Sequence, residues 1–79
     1  MIYIYVLRSL KDEGYYVGIT KNLNERIEKH NKGQVRSTKK RRPFVLIYKE
    51  EVVSYKEARD REKEIKSFKG GVQFKALLK

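Results

Sequence analysis

Two segments near the start of the chain, Ile2 to Arg8 and Tyr15 to Thr20, are rich in β-branched and aromatic residues. The turn-forming residues 9–14 lie between them, and this pattern predicts a β-hairpin. Side chains along a strand alternate between its two faces. Both faces of the first strand are apolar or aromatic, with Tyr3, Tyr5 and Leu7 on one and Ile2, Ile4 and Val6 on the other. We therefore expect this strand to be covered on at least part of each side.

A first helix is predicted after the hairpin. Asn22 is a favourable N-cap, and Glu25 stands three residues later, where its side chain can reach back to the cap amide. Leu23 and Ile27 supply the apolar stripe of this helix. Gly33 is a natural stop, because glycine adopts the left-handed conformation that commonly ends helices.

A third strand and a second helix start are predicted after the polar, basic residues that follow the first helix. The apolar run Phe44 to Tyr48 comes directly after Pro43 and predicts a central strand, which residues 49–53 extend. The next four residues, Ser54 to Glu57, form a second capping box. We expect a helix to begin there.

The second helix is predicted to continue from Ala58 to Phe68 and to end at Gly70-Gly71, and Val72 to Leu78 predict a last short helix. The order is then β-β-α-β-α with a short terminal helix. Helices that follow strands in this way lie against a small, mainly antiparallel sheet, so we expect an α+β fold. A chain of 79 residues has room for one hydrophobic core, so residues 1–79 are predicted to be a single domain.

The composition excludes several classes of site. The chain has no cysteine, which excludes disulfides and thiolate-metal sites, and its one histidine cannot build a His-rich zinc site. No glycine-rich phosphate loop is present. The longest apolar run, Ile2 to Leu7, is too short to span a bilayer and lacks the preceding basic stretch of a signal peptide. We expect a soluble, cytoplasmic protein.

The charge of the chain is strongly positive and unevenly distributed. The formal net charge is +10, from 20 Lys and Arg residues against 10 Asp and Glu residues. One acid-free segment, which we call the basic segment, holds seven of the cations: Lys29, Lys32, Arg36, Lys39, Lys40, Arg41 and Arg42. Such a segment favours binding to nucleic acid, because neutralising phosphates releases condensed counterions. The alternatives are a solvated loop and, less favoured, a membrane-surface patch.

One carboxylate departs from the helical pattern. Glu62 shares a helical face with Ala58 and Ile65, so it points toward the apolar side. Burying a charge costs several kcal/mol unless the charge is paired or bound to a cation. Glu62 is therefore a candidate metal ligand. The alternative is a salt bridge to Arg59 or Lys66, which lie at helical contact spacing.

Arg26 and His30 are four residues apart and project from the edge of the first helix's buried face. Taken singly, Arg26 is typical of a surface cation, and His30 of a helix C-terminal residue stabilised by the helix dipole.

Four of the six tyrosines lie in the hairpin: Tyr3, Tyr5, Tyr15 and Tyr16. They suit strands as structural residues. A phenol with the ordinary pKa of about 10 acts as a base only if cations lower that pKa, and Arg26 and a bound metal ion would do so. A tyrosine pair, an arginine and a carboxylate near a phosphate-attracting patch are the parts needed for metal-assisted phosphodiester hydrolysis.

The sequence resembles the GIY-YIG nuclease superfamily, in particular its small stand-alone YhbQ-like (UPF0213-type) members. The name-giving triplets match Tyr3-Ile4-Tyr5 and Tyr16-Val17-Gly18. Ten residues lie between Tyr5 and Tyr16. The family's arginine falls on Arg26, its Tyr or His one turn later falls on His30, and its metal-binding glutamate falls on Glu62. The resemblance covers nearly the whole chain. It implies a three-stranded antiparallel sheet flanked by helices.

The resemblance also implies roles for these residues. Tyr16 would be the general base or would orient the attacking water, and Tyr5 would assist it. Arg26 would hold the scissile phosphate, and His30 would hydrogen-bond to that phosphate or serve as an alternative base. Glu62 would be the single protein ligand of Mg²⁺ or Mn²⁺. The substrate would be DNA, in branched or single-stranded form among others. The protein would act in DNA repair or recombination.

Two positions depart from the family pattern. Tyr3 stands where the first triplet has glycine, and Ile19 stands where repair-type relatives carry a lysine. The second departure removes one phosphate-contacting cation. The leading hypothesis is a Mg²⁺-dependent DNA endonuclease. The alternatives are a non-catalytic nucleic-acid-binding module on the same scaffold and, ranked last, a small basic protein associated with RNA or the ribosome.

Overall fold

The computed structural model describes residues 1–69 and 71–78. Three strands form an antiparallel sheet: β1 (Ile2–Ser9), β2 (Tyr15–Thr20) and β3 (Phe44–Val52). Three helices accompany it: α1 (Leu23–Asn31), α2 (Tyr55–Ser67) and α3 (Val72–Leu77). A short 3₁₀ turn, Lys39–Arg41, precedes β3. The predicted α+β class, the element order and the three-stranded antiparallel sheet are confirmed.

The order of the strands across the sheet is β2-β1-β3, so β1 is the central strand. The prediction of a central position for β3 is wrong. The run of apolar residues in β3 does not mark two-sided burial, because Val45 and Leu46 remain 40% and 37% exposed. A bulge lies where Val6 pairs with Tyr48 and Leu7 pairs with Leu46, which interrupts the alternation of side chains.

Both faces of β1 are covered, as its two apolar faces predict. On one side, strand residues pack with α2 and α3 in a core made of Ile2, Ile4, Val6, Val17, Ala58, Ile65 and Phe74. On the other side, the strands pack with α1 in a smaller core made of Tyr5, Leu7 and Phe44, with Tyr16, Leu23 and Ile27 against it. Burying a large aliphatic side chain stabilises the fold by about 1.5–3 kcal/mol. Helix α1 has nine residues, fewer than an isolated helix needs, so it depends on this packing.

The helix ends follow the predictions in part. The Ser54 hydroxyl accepts a hydrogen bond from the Glu57 amide at 3.2 Å, which confirms the N-cap of α2. Asn22 is the N-cap residue of α1, but its side chain makes no capping hydrogen bond within the described residues, so the predicted capping box does not form. Gly33 has φ +76° just after α1, which confirms the stop. Helix α2 ends at Ser67, and Gly70 of the predicted Gly70-Gly71 end lies outside the described residues.

A pair of hydrogen bonds attaches the end of α1 to the start of β3. The Asn31 side chain accepts from the Phe44 amide at 2.6 Å and donates to the Phe44 carbonyl at 3.1 Å. These bonds satisfy both backbone polar groups of Phe44 as a neighbouring strand would. They hold α1 against the sheet. Within the described residues, no helix combines the length and the apolarity that crossing a membrane requires.

Candidate active site

The hydroxyl of Tyr5 lies at the centre of the candidate site. Tyr5 is in β1 and is buried, and its hydroxyl oxygen is 3.0 Å from Nε2 of His30. Its ring crosses the neighbouring strand at Gly18, with which it is paired in the sheet. A Cβ at Gly18 would lie 2.4 Å from the Tyr5 hydroxyl oxygen and from Cζ. Only glycine leaves room for the ring at this position, which gives the last residue of the second triplet a physical role.

His30 is fully buried in α1 and both of its ring nitrogens have partners. Nδ1 is 2.7 Å from the hydroxyl oxygen of Thr38, and that hydroxyl donates to the Val35 carbonyl at 3.4 Å. The Thr38 oxygen therefore accepts from Nδ1–H, which leaves Nε2 to accept from the Tyr5 hydroxyl. The network assigns this tautomer. Sequence reasoning missed Thr38, because nothing in a polar loop marks one threonine as buried.

Burial, with a smaller contribution from the positive charge of Arg26, lowers the pKa of His30 to about 4. His30 is therefore neutral at pH 7. The prediction that His30 is a helix C-terminal residue is confirmed, because it lies in the last turn of α1, but a neutral ring gains little from the helix dipole. The side chain has no exposed surface, so in this structure it contacts Tyr5 and Thr38 rather than solvent.

Several predicted site residues act together on the Tyr5 hydroxyl. Burial raises its pKa, Arg26 lowers it, and Tyr16 and Glu62 raise it again. The net shift is upward, so the lowering that a nearby cation should produce is outweighed by burial at Tyr5. The structure thus brings together residues from β1, β2, α1 and α2.

Tyr16 lies on β2 beside this network. Its ring centroid is 6.4 Å from that of Tyr5 and 5.0 Å from that of His30. Unlike Tyr5, Tyr16 is partly exposed. Among the described residues, the Nε atom of Arg26 is buried without a hydrogen-bond partner. Arg26 lines a depression of about 200 Å³ together with Thr20, Asn22, Glu25 and Lys29.

Glu62 is on α2 with 23% of its side chain exposed, and it forms an ion pair with Lys66, whose Nζ is 3.1 Å from Oε2. The salt bridge weighed as an alternative for Glu62 is confirmed at Lys66. Arg59 instead lies over the ring of Tyr55, 5.9 Å from its centroid. The Lys66 side chain is 56% exposed, and such pairs contribute about 0–1 kcal/mol, so the carboxylate can exchange this partner at small cost.

The sequence pattern of a family described as "GIY-YIG catalytic domain" matches residues 1–71. The chain belongs to the GIY-YIG family. This is a family of nucleases, and the resemblance drawn from the two triplets is confirmed.

The GIY-YIG chain is also similar to proteins named UPF0213. One from Staphylococcus haemolyticus is 46% identical over 67 residues, which are 84% of this chain and 80% of that protein. One from Staphylococcus aureus is 42% identical over the same shares of the two chains. A solution NMR structure of a UPF0213 protein from Bacillus halodurans has a TM-score of 0.49 and 34% identity, and covers 92% of this chain and 90% of that one.

GIY-YIG nucleases generally use a divalent metal ion, and the chemistry of Glu62 suits one. Its carboxylate is partly exposed and close enough to Tyr5 to raise that hydroxyl's pKa. An oxygen ligand of this kind suits Mg²⁺, which often binds one carboxylate and completes its shell with water and phosphate oxygens. Within residues 1–69 and 71–78, no three His, Cys, Asp or Glu side chains converge as a metal cluster. The residue fits a single-carboxylate site.

The basic segment is partly neutralised by acids from other parts of the GIY-YIG chain. Arg41 pairs with Asp12 at 2.7 Å and lowers the pKa of that carboxyl to about 2. Lys29 and Lys32 pair with glutamates one turn earlier in α1. Within the part of the chain that the structure describes, four cations of the segment form no ion pair: Arg36, Lys39, Lys40 and Arg42. The basic segment contains no acidic residue, yet three of its seven cations form ion pairs with acids elsewhere in the chain.

Proposed function

We propose that this chain is a divalent-metal-dependent endonuclease that hydrolyses DNA phosphodiester bonds. The observation that carries the proposal is the grouping of side chains around Tyr5, whose ring centroid is 6.4 Å from that of Tyr16 and 5.9 Å from that of His30. Arg26 of α1 and Glu62 of α2 are close enough to shift the pKa of the Tyr5 hydroxyl. A base, a phosphate-binding cation and a metal-binding carboxylate in one place are what this hydrolysis requires.

Arg26 is proposed to hold the scissile phosphate. Arg26 lines an open depression, and its buried Nε has no hydrogen-bond partner among the described residues. A guanidinium presents several N–H donors in a planar fork that matches phosphate oxygens. Held there, it would also stabilise the negative charge that develops on the phosphate in the transition state.

Tyr16 is proposed as the general base or as the residue that orients the attacking water, because it is the partly exposed member of the tyrosine pair. Tyr5 is buried and its hydroxyl donates a hydrogen bond to His30, so its oxygen is held in one orientation. We assign His30 a positioning role through Tyr5, since it has no exposed surface with which to touch the phosphate.

Glu62 is proposed to hold Mg²⁺ or Mn²⁺ after its carboxylate leaves Lys66. When bound, the ion supplies charge stabilisation for the phosphate and for the leaving oxygen. The exposed Lys66 side chain can swing into solvent at a cost of about 1 kcal/mol or less.

The test is cleavage of single-stranded, duplex and branched DNA in Mg²⁺ or EDTA by the parent protein and two variants. Glu62→Gln and Tyr16→Phe should each lower cleavage by at least about 100-fold, the usual worth of a general base or a charge-stabilising group. Asp60→Asn is the matched control, because Asp60 is an exposed carboxylate on the same helix. Full activity in both Glu62→Gln and Tyr16→Phe would show that a contaminant cuts the DNA, and full activity in one of them alone would overturn the role proposed for that residue.

A second candidate is a non-catalytic nucleic-acid-binding module. The ion pair between Lys66 and Glu62 favours it, because a cation of the chain itself occupies the carboxylate. This alternative predicts salt-sensitive binding without turnover, with log K falling against log salt at a slope of about −0.9 for each duplex phosphate contacted. Mg²⁺-dependent cleavage that Glu62→Gln abolishes would exclude it.

A further inference from the structure

A groove of about 350 Å³ lies between β2, α2 and α3, directly beside the candidate site. Tyr16 forms part of its wall, and Lys66, the partner of Glu62, stands in it together with Lys69. Ligand pockets in proteins range from about 300 to 1,000 Å³, so the groove has the size of a small binding site. A molecule bound at Glu62 would have this groove next to it, because Lys66 contacts both.

The wall of the groove is aromatic. The rings of Tyr15 and Phe74 pack with centroids 4.6 Å apart, and Tyr15 is 38% exposed while Phe74 is buried beneath it. Buried Ile65 lines the groove as well. The surface therefore offers an exposed ring on an apolar support with two ammonium groups nearby. A nucleotide has the complementary chemistry, because its base stacks on aromatic rings and its phosphates bind cations.

We propose that this groove holds the unstacked base of an unpaired nucleotide adjacent to the scissile phosphodiester, with Lys69 contacting a neighbouring phosphate. This inference deepens the proposed function and rests on it. In an intact duplex the bases are paired and stacked, and unstacking costs a few kcal/mol. The groove therefore selects single-stranded or frayed DNA over intact duplex.

The face of α2 that carries Glu62 supports this strand path. Tyr55, Arg59, Glu62 and Lys66 fall on one helical face at intervals of four, three and four residues. The eleven-residue span corresponds to about 16 Å of helix. Cations therefore flank the carboxylate on both sides along α2, and Lys21 and Arg59 lie 5.6 Å and 5.9 Å from the Tyr55 ring centroid. A phosphate backbone laid along this face meets a cation on each side of the metal ligand.

The first experiment uses Tyr15→Trp as a fluorescent reporter, since the chain contains no tryptophan. Oligothymidylate is titrated in EDTA, with binding followed in parallel by anisotropy. The fluorescence of Tyr15→Trp should be quenched as the oligonucleotide saturates, whereas an abasic oligomer of equal length should leave it unchanged at saturation. Val53→Trp is the control, because Val53 is exposed and lies outside the groove. Unchanged fluorescence of Tyr15→Trp at saturation overturns the proposal.

A second measurement uses the parent protein and does not depend on that variant folding. Replacing one thymidine of a short oligomer by an abasic residue should weaken binding by about 5-fold or more, the effect of losing one stacked base. If no abasic position in the oligomer weakens binding, the proposal fails.

The lysine is tested by salt dependence. Lys69→Gln should reduce the slope of log K against log salt by about 0.7, the value for one contact to a single strand. Lys63→Gln, on the solvent-exposed face of α2, should leave the slope unchanged. A slope that Lys69→Gln does not alter overturns the assigned contact. If the protein cleaves DNA but the Tyr15→Trp fluorescence is not quenched, base binding in the groove is refuted and the proposed function stands. If the fluorescence is quenched but no divalent metal supports cleavage, the proposed function is refuted and base binding in the groove stands.

Discussion

The hydroxyl of Tyr5 and Nε2 of His30 lie 3.0 Å apart in the buried layer between β1 and α1, although 25 residues separate them along the chain. Each group is the polar partner of the other in a place without access to water. The pair therefore contributes to the stability of α1 on the sheet and also holds the tyrosine around which the candidate site is arranged.

Removing the hydroxyl of Tyr5 should expose this double role. Tyr5→Phe leaves Nε2 of His30 buried without a donor, so we expect the free energy of unfolding to fall by about 1–3 kcal/mol. DNA cleavage should fall as well, because the hydroxyl oxygen at the centre of the candidate site is removed. Urea unfolding and DNA cleavage measure the two effects. Tyr55→Phe, at an exposed ring on α2, is the control and should change stability by less than about 0.5 kcal/mol. An equally stable Tyr5→Phe protein would contradict the hydrogen bond.

The stability of the protein should depend on pH through His30. Its pKa is about 4 in the folded protein and about 6.5 in the unfolded chain, so the unfolded chain binds more protons between these values. Stability is therefore complete above about pH 6.5 and is lost as the pH falls toward 4, by on the order of 3 kcal/mol.

Two measurements check this dependence. Because His30 is the chain's one histidine, its ring protons can be followed by NMR and should titrate near pH 4. In His30→Gln, the free energy of unfolding should change much less between pH 7 and 4.5 than in the parent. A histidine that titrates near 6.5 in the folded protein would refute the buried, neutral assignment.

Gly18 should tolerate no side chain. In Gly18→Ala the new Cβ would lie 2.4 Å from the Tyr5 ring, so the ring or the strand must move. Overpacking of this kind costs about 1–3 kcal/mol, and displacement of Tyr5 should lower cleavage too. Thermal unfolding of Gly18→Ala is compared with Gly71→Ala, where the new Cβ meets only the Phe68 carbonyl, at 3.2 Å. Equal unfolding temperatures for the two variants would contradict the close contact.

Lys66 should compete with the metal ion for Glu62. Lys66→Gln removes the ammonium group 3.1 Å from Oε2, so the Mg²⁺ concentration for half-maximal cleavage should fall severalfold. Stability should change by less than about 1 kcal/mol, as is usual for an exposed ion pair. A Mg²⁺ titration of cleavage measures the shift, with Lys63→Gln as the control on the same helix. A higher Mg²⁺ requirement in Lys66→Gln would contradict the competition.

Local sequence determined the elements of this protein, because their signals lie within a few residues. The β-branched and aromatic residues of segments 2–8 and 15–20 predicted the hairpin, Ser54 marked the start of α2, and Gly33 marked the stop after α1. The two triplets, with Arg26 and Glu62, indicated the family.

Tertiary structure alone decided the order of the strands and the environment of the site. A run of apolar residues does not reveal how many strands pair with it, so β3 was placed wrongly at the centre. The burial that makes His30 neutral and the bond from His30 to Thr38 arise only when α1 and the basic segment fold against β1. Folding brings together residues that lie far apart in the chain, whereas a sequence pattern reveals only relationships between near neighbours.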